Sequence, residues 1–253
     1  MNRTGLIIAL IIAAVSGLVF GFFPQLDLAI SAPFYAMTSG DNHFAARLYE
    51  PLMVARDAGL WAGTLLVAPA VVALLFKLIL PRRKLLISGR AIIFLIATLA
   101  LAPGLVANVL LKDHWGRSRP IDVTQFGGSE HFVSWWDPRG DCPSNCAFVS
   151  GDVAGAFWTL APAVLAPPQW RALSIGAALT LGTAMAAMRV MAGAHFLSDT
   201  IFAGVFTFLI IWLMYGLIYR WPRTRLSDAD VERAIERIAL PGYKAIKSLF
   251  GKS

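Results

Sequence analysis

Residues 91–120 read AIIFLIATLALAPGLVANVLLKDHWGRSRP. From Ala91 to Leu111 no side chain is charged; then Lys112, Arg117 and Arg119 follow in close succession. A helix needs about 20 apolar residues to cross the hydrocarbon of a bilayer, and a helix suits that solvent because it satisfies its own backbone. The stretch therefore reads as a membrane span that ends on a cationic cluster. Working outward, the apolar runs 5–22, 60–80, 147–165, 172–188 and 200–219 read the same way, with Pro162 marking a kink in the fourth span. The first run is expected to be a retained helix rather than a cleaved leader, being long for a signal sequence.

Composition agrees. The chain is 57% hydrophobic and 15% charged, with a mean hydropathy of +0.65, whereas soluble domains carry roughly 25% charge. The expected fold is all-α: a polytopic bundle of six transmembrane helices with amphipathic surface helices. Residues 1–220 form the membrane domain and 221–253 a basic amphipathic tail. Residues 26–59 are expected to make one or two surface helices broken at Ser39-Gly40-Asp41. In the tail, Ser227 and Asp230 begin a helix over 227–240, Val231, Ala234, Ile235 and Ile238 share a face, and Pro241-Gly242 ends it. Beyond that point Tyr243, Ile246, Leu249 and Phe250 alternate with Lys244, Lys247 and Lys252, a pattern suited to an anionic leaflet and its membrane lipids.

Lys and Arg in short loops set the orientation. With the N-terminus inside, the inner segments hold Arg3, Lys77, Arg82, Arg83, Lys84, Arg90, Arg171 and the basic residues from Arg220 to Lys252. The outer segments hold only Arg47, Arg56, Lys112, Arg117, Arg119, Arg139 and Arg189. Both termini are thus expected in the cytoplasm. The net charge of +7 does not point to nucleic acid, because the basic residues flank apolar runs instead of covering a polar domain. Lys112, Arg117, Arg119 and Arg189 stand on the disfavoured side, and catalysis would explain them.

Three polar clusters fall at the outer span ends: Lys112 to Pro120, Phe148-Val149-Ser150-Gly151-Asp152, and Arg189 to Asp199. Converging cations attract a dianion, and Arg matches phosphate oxygens with two parallel hydrogen bonds. A helix beginning at Gly151 adds N–H donors, Gly151 lets the backbone approach, and Ser150 offers a hydroxyl. His195 supplies a nucleophile that is neutral near pH 7. Asp199, one turn on, is placed to hold one ring nitrogen so that the other can attack. No carboxylate or histidine cluster has a metal-site pattern, so no metal or cofactor is expected. Cys142 and Cys146, in an outer loop, form a disulfide if that loop faces an oxidising compartment.

These clusters resemble the three signature motifs of the type 2 phosphatidic acid phosphatase (PAP2) superfamily, which also holds the vanadium haloperoxidases. The first motif, Lys, six residues and Arg-Pro, is matched by Lys112 and Arg119-Pro120. The third, Arg, five residues, His, three residues and Asp, is matched by Arg189, His195 and Asp199, with Met188 where the family usually has Ser. The resemblance implies that Lys112, Arg119 and Arg189 bind a phosphoryl group, with Ser150 and Gly151 beside them. It also implies that His195 becomes phosphorylated and that Asp199 orients it. The second motif, Pro-Ser-Gly-His, departs: Asp152 stands where the family's His protonates the leaving group, and Val149 replaces Pro. Three readings stay open. Asp152 is a tuned general acid, or His114 or His131 supplies the proton, or hydrolysis is weak.

The run from Cys142 to Gly151 is similar to a subset of bacterial inner-membrane members that dephosphorylate lipid A. The resemblance thus implies a phosphatase of the bacterial inner membrane acting at the periplasmic face. Its substrate would be a lipid phosphate: lipid A, undecaprenyl diphosphate, phosphatidylglycerol phosphate or phosphatidic acid. The alternatives are a lipid phosphotransferase using the same phosphohistidine, and a non-catalytic lipid-phosphate binder or transporter.

Overall fold

In the computed structural model of the chain, residues 3–38 and 41–250 are described. The fold is a polytopic helical bundle. Five helices are long and apolar enough to cross a membrane: α1 (Arg3–Phe22), α3 (Glu50–Ile79), α4 (Gly89–Leu111), α6 (Pro168–Met191) and α7 (Leu197–Arg220). The remaining expected span, α5 (Gly151–Leu165), is shorter and breaks at Thr159. The break lies just ahead of Pro162, which has no N–H for the carbonyl four residues back.

At 1.5 Å per residue α5 reaches only about 22 Å, against about 30 Å of hydrocarbon. Its position explains how that suffices. Val153, Ala154, Trp158 and Ala161 are all buried, because α5 packs against α3, α4, α6 and α7. The Trp158 indole N–H is satisfied by Thr98 Oγ1 at 2.9 Å. Exposed apolar side chains lie instead on α1 and α3, among them Ile7, Ile11, Leu18, Leu65, Val72 and Leu75.

The second half of α4, Ala100–Leu111, winds in wide turns, as in the 3.1 Å bond from the Lys112 N–H to the Ala107 carbonyl. Asn108 Nδ2 donates to the Pro103 carbonyl at 2.7 Å inside this stretch.

Residues 26–59 correct the expectation of surface helices. A short helix α2 (Gln25–Ser31) is followed by an antiparallel pair, β1 (Tyr35–Thr38) and β2 (Asp41–Phe44), in register Tyr35↔Phe44. A helical turn, Ala45–Arg47, then leads into α3, which begins at Glu50. The cause is tertiary: Phe44 is fully buried and packs with Tyr35 and Phe126 at ring distances of 5.4 and 5.3 Å. Of the break expected at Ser39-Gly40-Asp41, Ser39 and Gly40 lie outside the described residues.

The tail is a helix, α8 (Asp228–Phe250), that runs through Pro241 instead of ending there. Pro241 is exposed, and the helix carries the missing hydrogen bond. Its first half docks on the bundle. Val231, Ile235 and Ala239 are buried, whereas Ile238 is exposed and Ala234 faces out with it. Buried Lys77 donates to Glu232 at 2.9 Å, and Ser88 and Arg90 bind Asp228. The side chains of Ile246, Leu249 and Phe250 and all of Lys252 lie outside the described residues.

Candidate active site

The three clusters meet at one end of the bundle, where α1, α4 and α6 finish and α3, α5 and α7 begin. Backbone bonds stitch them together. The loop after α4 pairs with the segment before α5: Cys146 N–H donates to the Lys112 carbonyl at 2.8 Å, and Ala147 N–H to the Arg117 carbonyl at 2.8 Å. Cys142 and Cys146 are disulfide-bonded beside this seam. The loop between α6 and α7 is pinned by Ile121, whose N–H donates to the Gly193 carbonyl at 3.0 Å. Gly193 has φ +63°, and a Cβ there would sit 2.3 Å from the Phe44 ring. The hairpin therefore presses directly on the loop that carries His195.

His195 is 1% exposed. Its Nδ1 lies 2.7 Å from the Ala147 carbonyl. A carbonyl only accepts, so Nδ1 carries the proton and Nε2 keeps its lone pair. Burial, then the nearby charges of Arg189 and Arg119, with Lys112 adding to them, hold the ring's pKa well below its ordinary value. The result is a neutral imidazole with a free nitrogen among cations. Lys112 is lowered too, first by burial and then by Arg119, and Arg119 is lowered first by burial. Arg119 is aimed by the Asn145 carbonyl, which accepts from Nε at 3.0 Å and from Nη2 at 2.6 Å.

The structure thus brings Lys112, Arg119, Arg189 and His195 together and redistributes the other expected roles. Asp199 does not hold His195. Its carboxylate pairs with Arg117 and accepts from the Phe196 N–H at 2.8 Å, so the Ala147 carbonyl has the orienting place. Asp152 sits in an ion pair: its Oδ2 accepts from Arg56 Nε at 2.7 Å and lies 3.2 Å from Arg189 Nε.

Both alternative acids are exposed and bonded to partners of their own. His114 is exposed and donates from Nδ1 to the Val109 carbonyl at 3.0 Å. His131, also exposed, donates to Asp141 at 2.7 Å. Ser150 caps α5, accepting from the Val153 N–H at 3.4 Å, which leaves its hydroxyl proton to donate. The close approach at Gly151 belongs to Asn108, whose Oδ1 would lie 2.3 Å from a Cβ at that position.

Arg117 is a structural tie. Fully buried, it binds Asp27 at 2.8 Å, Ser198 Oγ at 2.8 Å, the Val133 carbonyl at 3.1 Å, and Asp199. Asp27 also accepts from Ser198 N–H and Oγ. Sequence reasoning missed Asp27 and Arg56. The signal for Asp27 was a lone acid between apolar residues in QLDLAIS; for Arg56, a further cation on the disfavoured side. Among the described residues no three His, Cys, Asp or Glu side chains converge as a metal site.

Comparison with known proteins adds the following. The PAP2 superfamily pattern matches residues 91–223. A lipid A 4'-phosphatase of Francisella tularensis subsp. novicida is 32% identical over 226 residues, 87% of this chain and 98% of the relative. A lipid A 4'-phosphatase of Rhizobium etli is 34% identical over 197 residues, 72% of this chain and 74% of the relative. One from Rhizobium leguminosarum is 36% identical over 122 residues, covering 48% and 52%. No solved structure matches.

Proposed function

We propose that this chain, which belongs to the PAP2 superfamily, hydrolyses a lipid phosphomonoester through a phosphohistidine on His195, with the 4'-phosphate of lipid A as the leading substrate. The observation that carries the reading is the His195 ring, buried, with Nδ1 spent on the Ala147 carbonyl and Nε2 free among three cations. Lys112, Arg119 and Arg189 hold the phosphoryl oxygens, and Arg119, with Nε and Nη2 on Asn145, offers Nη1. Nε2 attacks phosphorus, the bond to the lipid oxygen breaks, and that oxygen takes a proton from water. A second water then attacks phosphorus, giving a proton to the hydroxide left by the first, the P–N bond breaks, phosphate leaves and the neutral ring returns. Charge stabilisation by the fixed cations is the main contribution the protein makes to such a step.

The relatives' names favour lipid A, and two features of the chain support a lipid substrate at an oxidising, periplasmic face of the bacterial inner membrane. The first is the Cys142–Cys146 disulfide beside the site, a bond at home outside the cytoplasm. The second is an apolar groove of about 540 Å³ between α1, α5, α6 and α7, lined by Ile8, Ile12, Leu160, Leu179, Leu197 and Phe208. Leu197 is two residues from His195, so an acyl chain in the groove would run toward the site. The site end would then face the periplasm and both termini the cytoplasm, with residues 1–220 as the catalytic membrane domain.

The test is phosphate release in detergent from lipid A, undecaprenyl diphosphate, phosphatidylglycerol phosphate and phosphatidic acid, beside His195→Ala. The expected outcome is free phosphate, fastest from lipid A, and background rates for the variant. Release by His195→Ala at the wild-type rate, or transfer of the phosphate to a second lipid instead of to water, would overturn the reading.

A further inference from the structure

Arg56 lies on α3, outside the segment that the superfamily pattern matches, yet it reaches across to the first turn of α5. Its Nε donates to Asp152 Oδ2 at 2.7 Å, and Asp57 accepts from its Nη1 at 3.1 Å. Arg189 Nε sits 3.2 Å from the same Asp152 oxygen but off the line of a hydrogen bond, leaving that N–H buried and unbonded. One carboxylate oxygen thus joins two guanidinium groups, one bonded and one held near it by charge. An unbonded buried donor is costly. Here it leaves the Arg189 guanidinium beside the carboxylate with its Nε–H unspent.

We propose that Arg56 and Asp152 form a positioning pair for Arg189, with Arg56 anchoring the Asp152 carboxylate and that carboxylate aiming the Arg189 guanidinium at the phosphoryl site; the proposal rests on the phosphatase reading above. It assigns Asp152 a task other than acid catalysis and makes a residue of α3 part of the machinery. The two tasks differ in sign at Arg56. If Asp152 delivered a proton, removing the cation that bonds it would favour its protonated form and preserve or raise the rate. If Asp152 positions Arg189, removing Arg56 should injure the site as removing Asp152 does.

The experiment measures vanadate affinity by calorimetry, a readout that does not depend on which lipid is hydrolysed, together with kcat, KM and the pH profile of phosphate release. The variants are Asp152→Asn, Arg56→Gln, Arg56→Lys and the double Arg56→Gln/Asp152→Asn. Each of Asp152→Asn and Arg56→Gln should weaken vanadate binding and lower kcat about 10- to 100-fold, the scale of a charge-assisted hydrogen bond. The double variant should be no worse than either single, because the two residues act as one unit. Arg56→Lys should recover part of the loss, and the pH profile should keep its shape.

Unchanged vanadate affinity in all variants, multiplying losses in the double, or a rate maintained in Arg56→Gln with a limb lost in Asp152→Asn would each overturn the pair. If Asp152→Asn does not fold, Arg56→Gln against Arg56→Lys decides the question alone. Weakened vanadate binding without lipid hydrolysis by the wild type would uphold the pair and sink the phosphatase reading.

Discussion

Arg117 and Arg189 lie at the same end of the bundle, and their donors are treated in opposite ways. Arg117 is sealed, with Asp27, Asp199, Ser198 and the Val133 carbonyl on its guanidinium and the Phe196 ring 4.7 Å below it. Arg189 shares the Asp152 carboxylate with Arg56, which also bonds Asp57 on its outer side, and keeps an unbonded N–H beside Lys112 and Arg119. The first cluster sets two carboxylates against one guanidinium and is complete. The second has more positive charge than it can satisfy. A charge that finds all its partners inside the fold holds the fold together; charge left over awaits an anion from outside.

That contrast can be broken most severely at the sealed cluster. Arg117→Met or Asp27→Ala strands a buried charge, a loss of about 3–5 kcal/mol. A lower thermal midpoint in detergent is expected, with activity per folded molecule near wild type. Full thermal stability in both variants would mean that the network does not tie α2 to α7. At the open cluster the ordering reverses. Lys112→Ala, Arg119→Ala and Arg189→Ala should each reduce kcat about 10²–10³-fold, as loss of a donor to a developing oxyanion does, with little change in thermal midpoint. A large stability loss with kcat intact would make these cations structural.

How much of this was legible beforehand follows the same division. Spans show in the chain because apolar length is a property of composition, and the motif cations show because they violate charge asymmetry and repeat a known spacing. The partners of those cations do not show. The orienting acceptor for His195 is the Ala147 carbonyl and that for Arg119 is the Asn145 carbonyl, and a backbone carbonyl has no residue type to announce it. Asp199 misled for the complementary reason: i, i+4 spacing places two side chains on one helix face, but His195 precedes α7 and the stronger attraction of buried Arg117 takes the carboxylate. The β1–β2 pair was hidden because Phe44 earns its burial from Phe126 and Gly193, distant in sequence.

Smaller effects sharpen the picture further. Cys142→Ser or Cys146→Ser, or mild reductant, should slow turnover by less than any cation variant, because the disulfide borders the segment that presents the Asn145 and Ala147 carbonyls without touching the phosphoryl site. A wild-type rate under complete reduction would show that the backbone bonds of Cys146 and Ala147 hold that segment unaided. The smallest effect concerns pH. Burial, then Arg189 and Arg119, hold His195 well below its ordinary value, so the ring stays neutral as pH falls through 6.5. The kcat/KM profile should therefore show no His195 limb between about pH 7.5 and 6. A limb with a midpoint near 6.5 that vanishes in a His195 variant would contradict the buried, cation-flanked ring.

Chemical trapping addresses the nucleophile itself. Enzyme mixed with lipid A carrying a radiolabelled 4'-phosphate, quenched in base within a turnover and digested, should yield one labelled peptide containing His195. The label should be stable to base and lost in acid, and absent from His195→Ala. Label on any other residue, or none in a wild-type preparation that is releasing phosphate, would contradict the account.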